Sequence, residues 1–146
     1  MQTQPNPRSR RYVVAALAAV IILGLGYWLL APWLSSAAAP EIEGVTWQLV
    51  SVNGQPAVPG SHATVAFNGG KVGGSGGVNQ FGGSYRASGG SLAITDLAST
   101  MMASADAALN QQEEAVLSIL QGQSTYRVSG GQLELRSAAG TLIFRA

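Results

Sequence analysis

The chain has 146 residues, enough for one ordinary domain, with only 10% charged residues against about 25% in a typical soluble protein. Its formal net charge of +1 is a composite: Arg8, Arg10 and Arg11 give the first eleven residues +3, whereas residues 41–146 carry five basic and seven acidic side chains. No basic face remains in that larger part to follow a nucleic-acid backbone, and the absence of cysteine excludes disulfides, thiol catalysis and lipid attachment through a cysteine.

Residues 1–11 read as a basic cytoplasmic tail, and the apolar run that follows contains no charge before Glu41. Residues 12–30 form a 19-residue stretch, apolar but for two glycines. As a helix it measures about 28 Å, close to the roughly 30 Å hydrocarbon core of a bilayer. Tyr27, Trp28 and Trp33 cluster at the far end, where amphipathic rings favour the headgroup level, and the arginines sit at the near end. Residues 12–34 are therefore expected to be a transmembrane signal-anchor in the cytoplasmic membrane, single-pass, N-terminus inside. The alternative is a cleaved signal peptide with "SSAAA" as its small-residue site, although signal h-regions usually run about 7–15 residues. Either way, everything after about residue 36 is expected to be periplasmic or extracellular. Residues 35–42, "SSAAAPEI", are a short linker in which Pro40 resists helix continuation.

From Val45 the period changes. "VTWQLVSV" alternates as a strand and "NGQPAVPG" closes it with turn chemistry. "HATVAF" places Ala63, Val65 and Phe67 on one face, and "NGG" reverses the chain into the weak strand "KVGGSGG". "FGGSYRA", "SLAIT", "STYRVS", "GQLELR" and "TLIFRA" continue the series, with Leu133 and Leu135, and Leu142 and Phe144, spaced by two as half-buried strands require. One stretch departs from this period: "SADAALNQQEEAVLSILQG" sets Ala108, Leu109, Ala115, Val116, Ile119 and Leu120 on one face of an amphipathic helix. Ser104 or Asp106 caps its start and Gly122 ends it, while Asn110, Gln111, Glu113, Glu114 and Ser118 fall on the opposite, solvated face. The expected fold class is α+β: a curved antiparallel sheet or partly open β-barrel of about seven or eight strands, its open side closed by one helix, preceded by the transmembrane helix.

The glycine-rich stretch of residues 71–90, "KVGGSGGVNQFGGSYRASGG", invites a chemical reading. Gly73, Ser75 and Gly77 match the G-x-S-x-G nucleophile turn, but that motif needs a helix after it and a later histidine, and His62, the single histidine, comes first. Residues 77–84 have the spacing of a phosphate loop, yet Gly83 stands where its lysine belongs. His62 has no partner at metal-ligand spacing and reads as a surface strand residue, and Asp96 reads as a turn or cap acid. Glycine within strands marks bulges, bends and close backbone approach, so the stretch reads as two curved strands joined at a bent corner, "VNQF". Asn79 is expected to bond nearby backbone, Phe81 to point into the core, and Tyr85 to lie on a neighbouring strand.

Taken in order, "GVTWQL", "GGSGGVNQFGGSY", "ITDLASTMMAS", "EEAVLSIL", "STYRVSGGQLEL" and "GTLIFR" resemble the META/HslJ family of small bacterial envelope domains, over nearly all of residues 43–146. The runs that carry the resemblance are Trp47, then Gly77, Asn79, Phe81, Gly83 and Tyr85, then Thr100, Met102 and Ala103. The family often has a cysteine after the first glycine and another after M-A. This chain has Val78 and Ser104 there, so no redox or disulfide role is carried over. The resemblance implies a compact β-rich domain associated with envelope stress, and it implies no reaction.

These residues assign no catalytic, cofactor-binding or metal site; the family-motif residues are expected to be structural. The expected function is a membrane-anchored, non-enzymatic module that binds another envelope protein, its exported domain folding alone as a monomer without a cofactor. The alternative is a binder of a small apolar ligand or lipid inside the barrel, with Phe81, Met101, Met102 and Leu109 as lining residues.

Overall fold

The computed structural model describes residues 41–146. The basic tail, the expected transmembrane helix and the linker as far as Pro40 lie outside the described residues, among which no helix is long and apolar enough to cross a membrane.

The elements are β1 (Thr46–Val52), β2 (Gln55–Pro56), β3 (Thr64–Asn68), β4 (Lys71–Ser75), β5 (Gln80–Ser88), β6 (Ser91–Ser99), α1 (Ala107–Leu120), β7 (Gly122–Ser129), β8 (Gln132–Ser137) and β9 (Gly140–Arg145). Eight strands run in the order β1-β3-β4-β5-β6-β7-β8-β9, antiparallel throughout, and β9 pairs back onto β1. The two-residue β2 folds back on the end of β1. The wall is therefore a closed barrel, not a partly open one. Closure rests on β1, which divides its length between two neighbours: residues 46–48 pair with β3 and residues 48–52 with β9. A register shift between Leu49 and Ser51 lets the strand serve both, as the stagger of a closed barrel requires.

The pairings sort the loops between two mouths. The turns after β3, β5 and β7 lie at one mouth, together with the chain entering at residues 41–45; this is the entry mouth. The turns after β1, β4 and β8 and the connector from β6 to α1 lie at the other. The helix spans this second mouth, since it touches β7, β8, β9 and β1 on one side and bonds the β4–β5 corner on the other. It caps a closed barrel and is not needed to complete the wall.

One core fills the interior. Trp47, Val65, Phe67, Phe81, Tyr85, Leu92, Ile94, Leu133, Leu135, Leu142 and Phe144 come from the strands, and Val116, Ile119 and Leu120 from the helix. Ile42, at the end of the expected linker, is fully buried and stops the entry mouth. Asp106 is the helix N-cap, its carboxylate accepting from the Ala108 amide at 2.8 Å. Gln121 closes the helix, and Gly122 follows at φ 90°. The inward stripe differs from the expected one: Ala108 is exposed, and Gln112 and Glu113 are buried. The first helical turn overhangs the rim, and the second faces the β4–β5 corner, which supplies polar partners.

The glycine-rich stretch is strand, corner and strand. A Cβ on Gly74 would lie 2.0 Å from the Thr64 carbonyl oxygen, so β3 and β4 can approach only across a glycine. Phe81 and Tyr85 are both buried and both belong to β5, four residues apart on its inward face; Tyr85 is not on a neighbouring strand. Opposite Gly83, Asp96 takes φ 55° in a bulge that inserts an extra residue into β6. His62 is exposed in the loop before β3, at φ 47°, and is not in a strand.

A fragment of residues 41–146 is expected to unfold in one cooperative transition that EDTA and reductant leave unchanged. In chemical denaturation Phe81→Ala should lose about 3–5 kcal/mol, as truncations of buried aromatics do. Gly74→Ala should lower the midpoint sharply, whereas a flexible linker would tolerate both changes.

Candidate functional site

The motif residues meet at the capped mouth around one buried pair, Asn79 and Glu113. Asn79 follows the corner that Gly77 opens at φ 121°. Its side-chain oxygen accepts from Thr100 Oγ1 at 2.8 Å and from the Met102 amide at 2.7 Å. Its side-chain nitrogen donates to the Met102 carbonyl at 2.9 Å and to Glu113 Oε2 at 2.5 Å. Glu113 Oε1 accepts from the backbone amides of Val78 at 3.2 Å and Asn79 at 2.5 Å. The neighbouring Gln112 donates to the Gly76 carbonyl at 3.3 Å and accepts from the Val58 amide at 2.6 Å. Thr100 and Gln80 exchange two further bonds: the Gln80 amide donates to Thr100 Oγ1 and the Thr100 amide to the Gln80 carbonyl. At the helix start, Asn110 holds both the amide and the carbonyl of Ser104.

This network joins three segments distant in sequence: the β4–β5 corner, the β6–α1 connector and the second turn of α1. Asn79 thus bonds groups 21 to 34 residues away rather than nearby backbone. Glu113, expected on a solvated face, is 7% exposed, with both oxygens occupied by hydrogen bonds. The pattern did hold a signal for it: 113, 116, 117 and 120 share one helix face by their spacings of 3, 4 and 7. No local rule marks Gln112 or Asn110.

At the entry mouth Trp47 donates its indole N–H to the Ile42 carbonyl at 3.0 Å. The Gly44 amide donates to the Phe67 carbonyl at 3.1 Å. Tyr85 packs edge-on against Phe67, ring centroids 5.0 Å apart, and donates its hydroxyl to the Glu43 carboxylate. Burial, and then the Glu43 carboxylate that its hydroxyl bonds, push the Tyr85 phenol up to about 12. Burial, and then the charge of Glu41, also raise the Tyr126 phenol.

Phe81 lies within the core, but Met101 and Met102 do not: they are 97% and 62% exposed. Ala103 is exposed beside them, and Leu109 is half-buried. Open depressions of about 250 Å³ beside Leu49, Val58 and His62, and of about 430 Å³ beside Arg86 and Asp96, lie on the outer wall. Among the described residues no cluster of three or more His, Asp or Glu side chains is placed to hold a metal. What the Asn79–Glu113 arrangement does chemically is hold backbone.

The META domain profile matches residues 40–146, which takes in every motif residue of this network. The chain belongs to the META domain family. Solved structures that share its fold include the following two. One, an NMR structure, aligns with a TM-score of 0.64 and 27% identity over 72% of this chain and 91% of its own. The other, an NMR structure of a protein from Burkholderia xenovorans, aligns with a TM-score of 0.58 and 26% identity over 76% of this chain and 87% of its own. No curated protein matches the chain.

In this META domain, Glu113→Gln would turn an NH2 group toward Asn79 or toward the Val78 and Asn79 amides, leaving donors facing donors. It should cost about 1–3 kcal/mol by denaturation, and Asn79→Ala at least as much. Tyr85 supplies a pH test. A phenol raised above its unfolded value of about 10 stabilises the fold fully below that pH, and the contribution is lost as pH rises through about 12. The denaturation midpoint should therefore fall steeply between pH 10 and 12, and Tyr85→Phe should flatten that fall.

Proposed function

We propose that the chain is a membrane-anchored, extracytoplasmic META domain that acts without catalysis, by docking another protein of the cell envelope. The observation that carries this reading is how the domain uses its interior. Buried side chains from the helix and from every barrel strand but β7, whose Tyr126 and Val128 pack against them half-buried, fill it, and its buried carboxylate and amides hold loops in place. A rigid body presenting fixed loops suits recognition of a partner. The family resemblance adds envelope stress as the setting.

The rival reading, an apolar ligand inside the barrel, draws less support. The helix and Ile42 stop the two mouths with buried apolar side chains, and the two methionines expected to line a cavity are exposed. The anchor rests on the 19-residue apolar run with arginines at one end alone.

A reporter fused after Ala146 should be active only outside the cytoplasm, and the chain should stay with membranes after carbonate extraction. A mature chain beginning near Ala38 would overturn the anchor but not the export. Cross-linking in intact membranes should give a protein adduct. Lipid or another apolar molecule released from the purified, unfolded chain in equal molar amount would favour the rival.

A further inference from the structure

We propose that Asn68, at the β3–β4 turn, is a site of spontaneous covalent modification: its carboxamide cyclises onto the Gly69 amide and opens to aspartate or isoaspartate. The same dipeptide at Asn53 is held back from this reaction by the fold.

The chain contains two Asn-Gly pairs, Asn53-Gly54 and Asn68-Gly69. In such a pair the glycine backbone nitrogen, giving up its proton, adds to the asparagine Cγ, and ammonia leaves. Water then opens the resulting succinimide at either carbonyl. The sum is carboxamide plus water to carboxylate plus ammonium, so water and hydroxide are the only reagents. Glycine favours the step because no Cβ shields its nitrogen and its backbone is free to turn.

The fold treats the two pairs differently. Asn53 and Gly54, at φ 51° and 79°, turn β1 into β2. The Asn53 backbone amide donates to the Thr141 carbonyl at 2.8 Å, and its side-chain oxygen accepts from the Thr141 amide at 2.8 Å. Its carboxamide lies so close over Gly140 that an added Cβ there would collide with it. Asn53 Cγ is thus tied to β9, and the Thr141 bond must break before it can reach the Gly54 nitrogen. Asn68 stands at the end of β3, opposite Lys71, with Gly69 and Gly70 as the two turn residues at φ 54° and 80°. Asn68 and Gly69 are exposed. Among the described residues no hydrogen bond holds the Asn68 carboxamide; the Lys71 ammonium opposite donates to Ser84 Oγ at 3.1 Å instead. Around Gly69 an added Cβ would meet nothing within 4 Å, so there is room for the ring to close.

Isoaspartate carries an extra methylene in the main chain. It would fall between residues 68 and 69, next to the fully buried Phe67, whose carbonyl accepts the Gly44 amide at 3.1 Å. A two-residue turn fixes the register of its hairpin, so the longer link no longer fits the pairing of positions 68 and 71.

The test incubates the full chain in its own membranes at mildly alkaline pH, with a parallel sample in denaturant. Chymotrypsin cuts after Phe67 and separates the two sites, and tandem mass spectrometry reads the exchange of NH2 for OH at each. In the folded chain position 68 should convert roughly tenfold faster than position 53, the scale on which a hydrogen-bonded restraint slows a rate. In denaturant the two rates should converge. A folded chain in which position 68 stays unchanged, or converts no faster than position 53, would overturn the proposal. So would an equal lead of position 68 in denaturant, since the fold would then play no part. The aged parent should melt earlier than the fresh one, and Asn68→Ser, which cannot cyclise, should melt alike fresh and aged. A loss of midpoint on ageing that Asn68→Ser shares would place the lesion elsewhere and overturn the proposal too.

Discussion

Asn79 and Glu113 can be buried only together. A carboxylate withdrawn from water without donors is strongly unfavourable, and so is an unpaired amide. Glu113 finds its donors in the amides of residues 78 and 79 and the Asn79 side chain, and Asn79 then takes Thr100 and Met102 with what remains. Removing any one member leaves a buried polar group of its partners short of a hydrogen bond. The corner, the connector and the helix therefore take their places as one unit. The helix in turn brings Val116, Ile119 and Leu120 over the barrel core. A polar constraint of a few atoms fixes where an apolar cap sits.

The same constraint bears on the two cysteine positions of the family. Val78 and Ser104 lie on the corner and on the connector, the two segments that Asn79 joins. Hydrogen bonds hold this junction, so its integrity is independent of the redox state of the surroundings.

Much of the wall was legible because strand alternation is a local signal. Ala63, Val65 and Phe67, Leu133 and Leu135, and Leu142 and Phe144 are buried as their spacing requires. The helix, its Asp106 cap and the glycine at its end followed from equally local rules. Closure was not legible, because nothing within β1 records that it serves both β3 and β9. Glu113 is an exception, because its charge points to solvent while its spacing puts it on the face of Val116 and Leu120, where it is buried. Asn79 was recognised as a structural residue, but its partners lie on segments no turn rule reaches. The methionines follow the same logic in reverse: their apolar character suggested an interior, and the connector's hydrogen bonds hold them outside it.

The way the chain enters the barrel has a mechanical consequence. Tension applied through the residues before Glu41 reaches the domain at a small set of attachments: the buried Ile42 side chain, the Trp47 indole on its carbonyl, the Glu43 link to Tyr85 and the Gly44 amide on Phe67. These lie upstream of the first full strand, and β1 beyond them pairs with β3 at its start and with β9 from Gln48 on. Such a load meets the lead-in, and with it the Ile42 stopper of the entry mouth, before it meets any strand. The lead-in is thus the first part of the domain to bear a load from that side, and the Asn79–Glu113 junction lies at the opposite mouth.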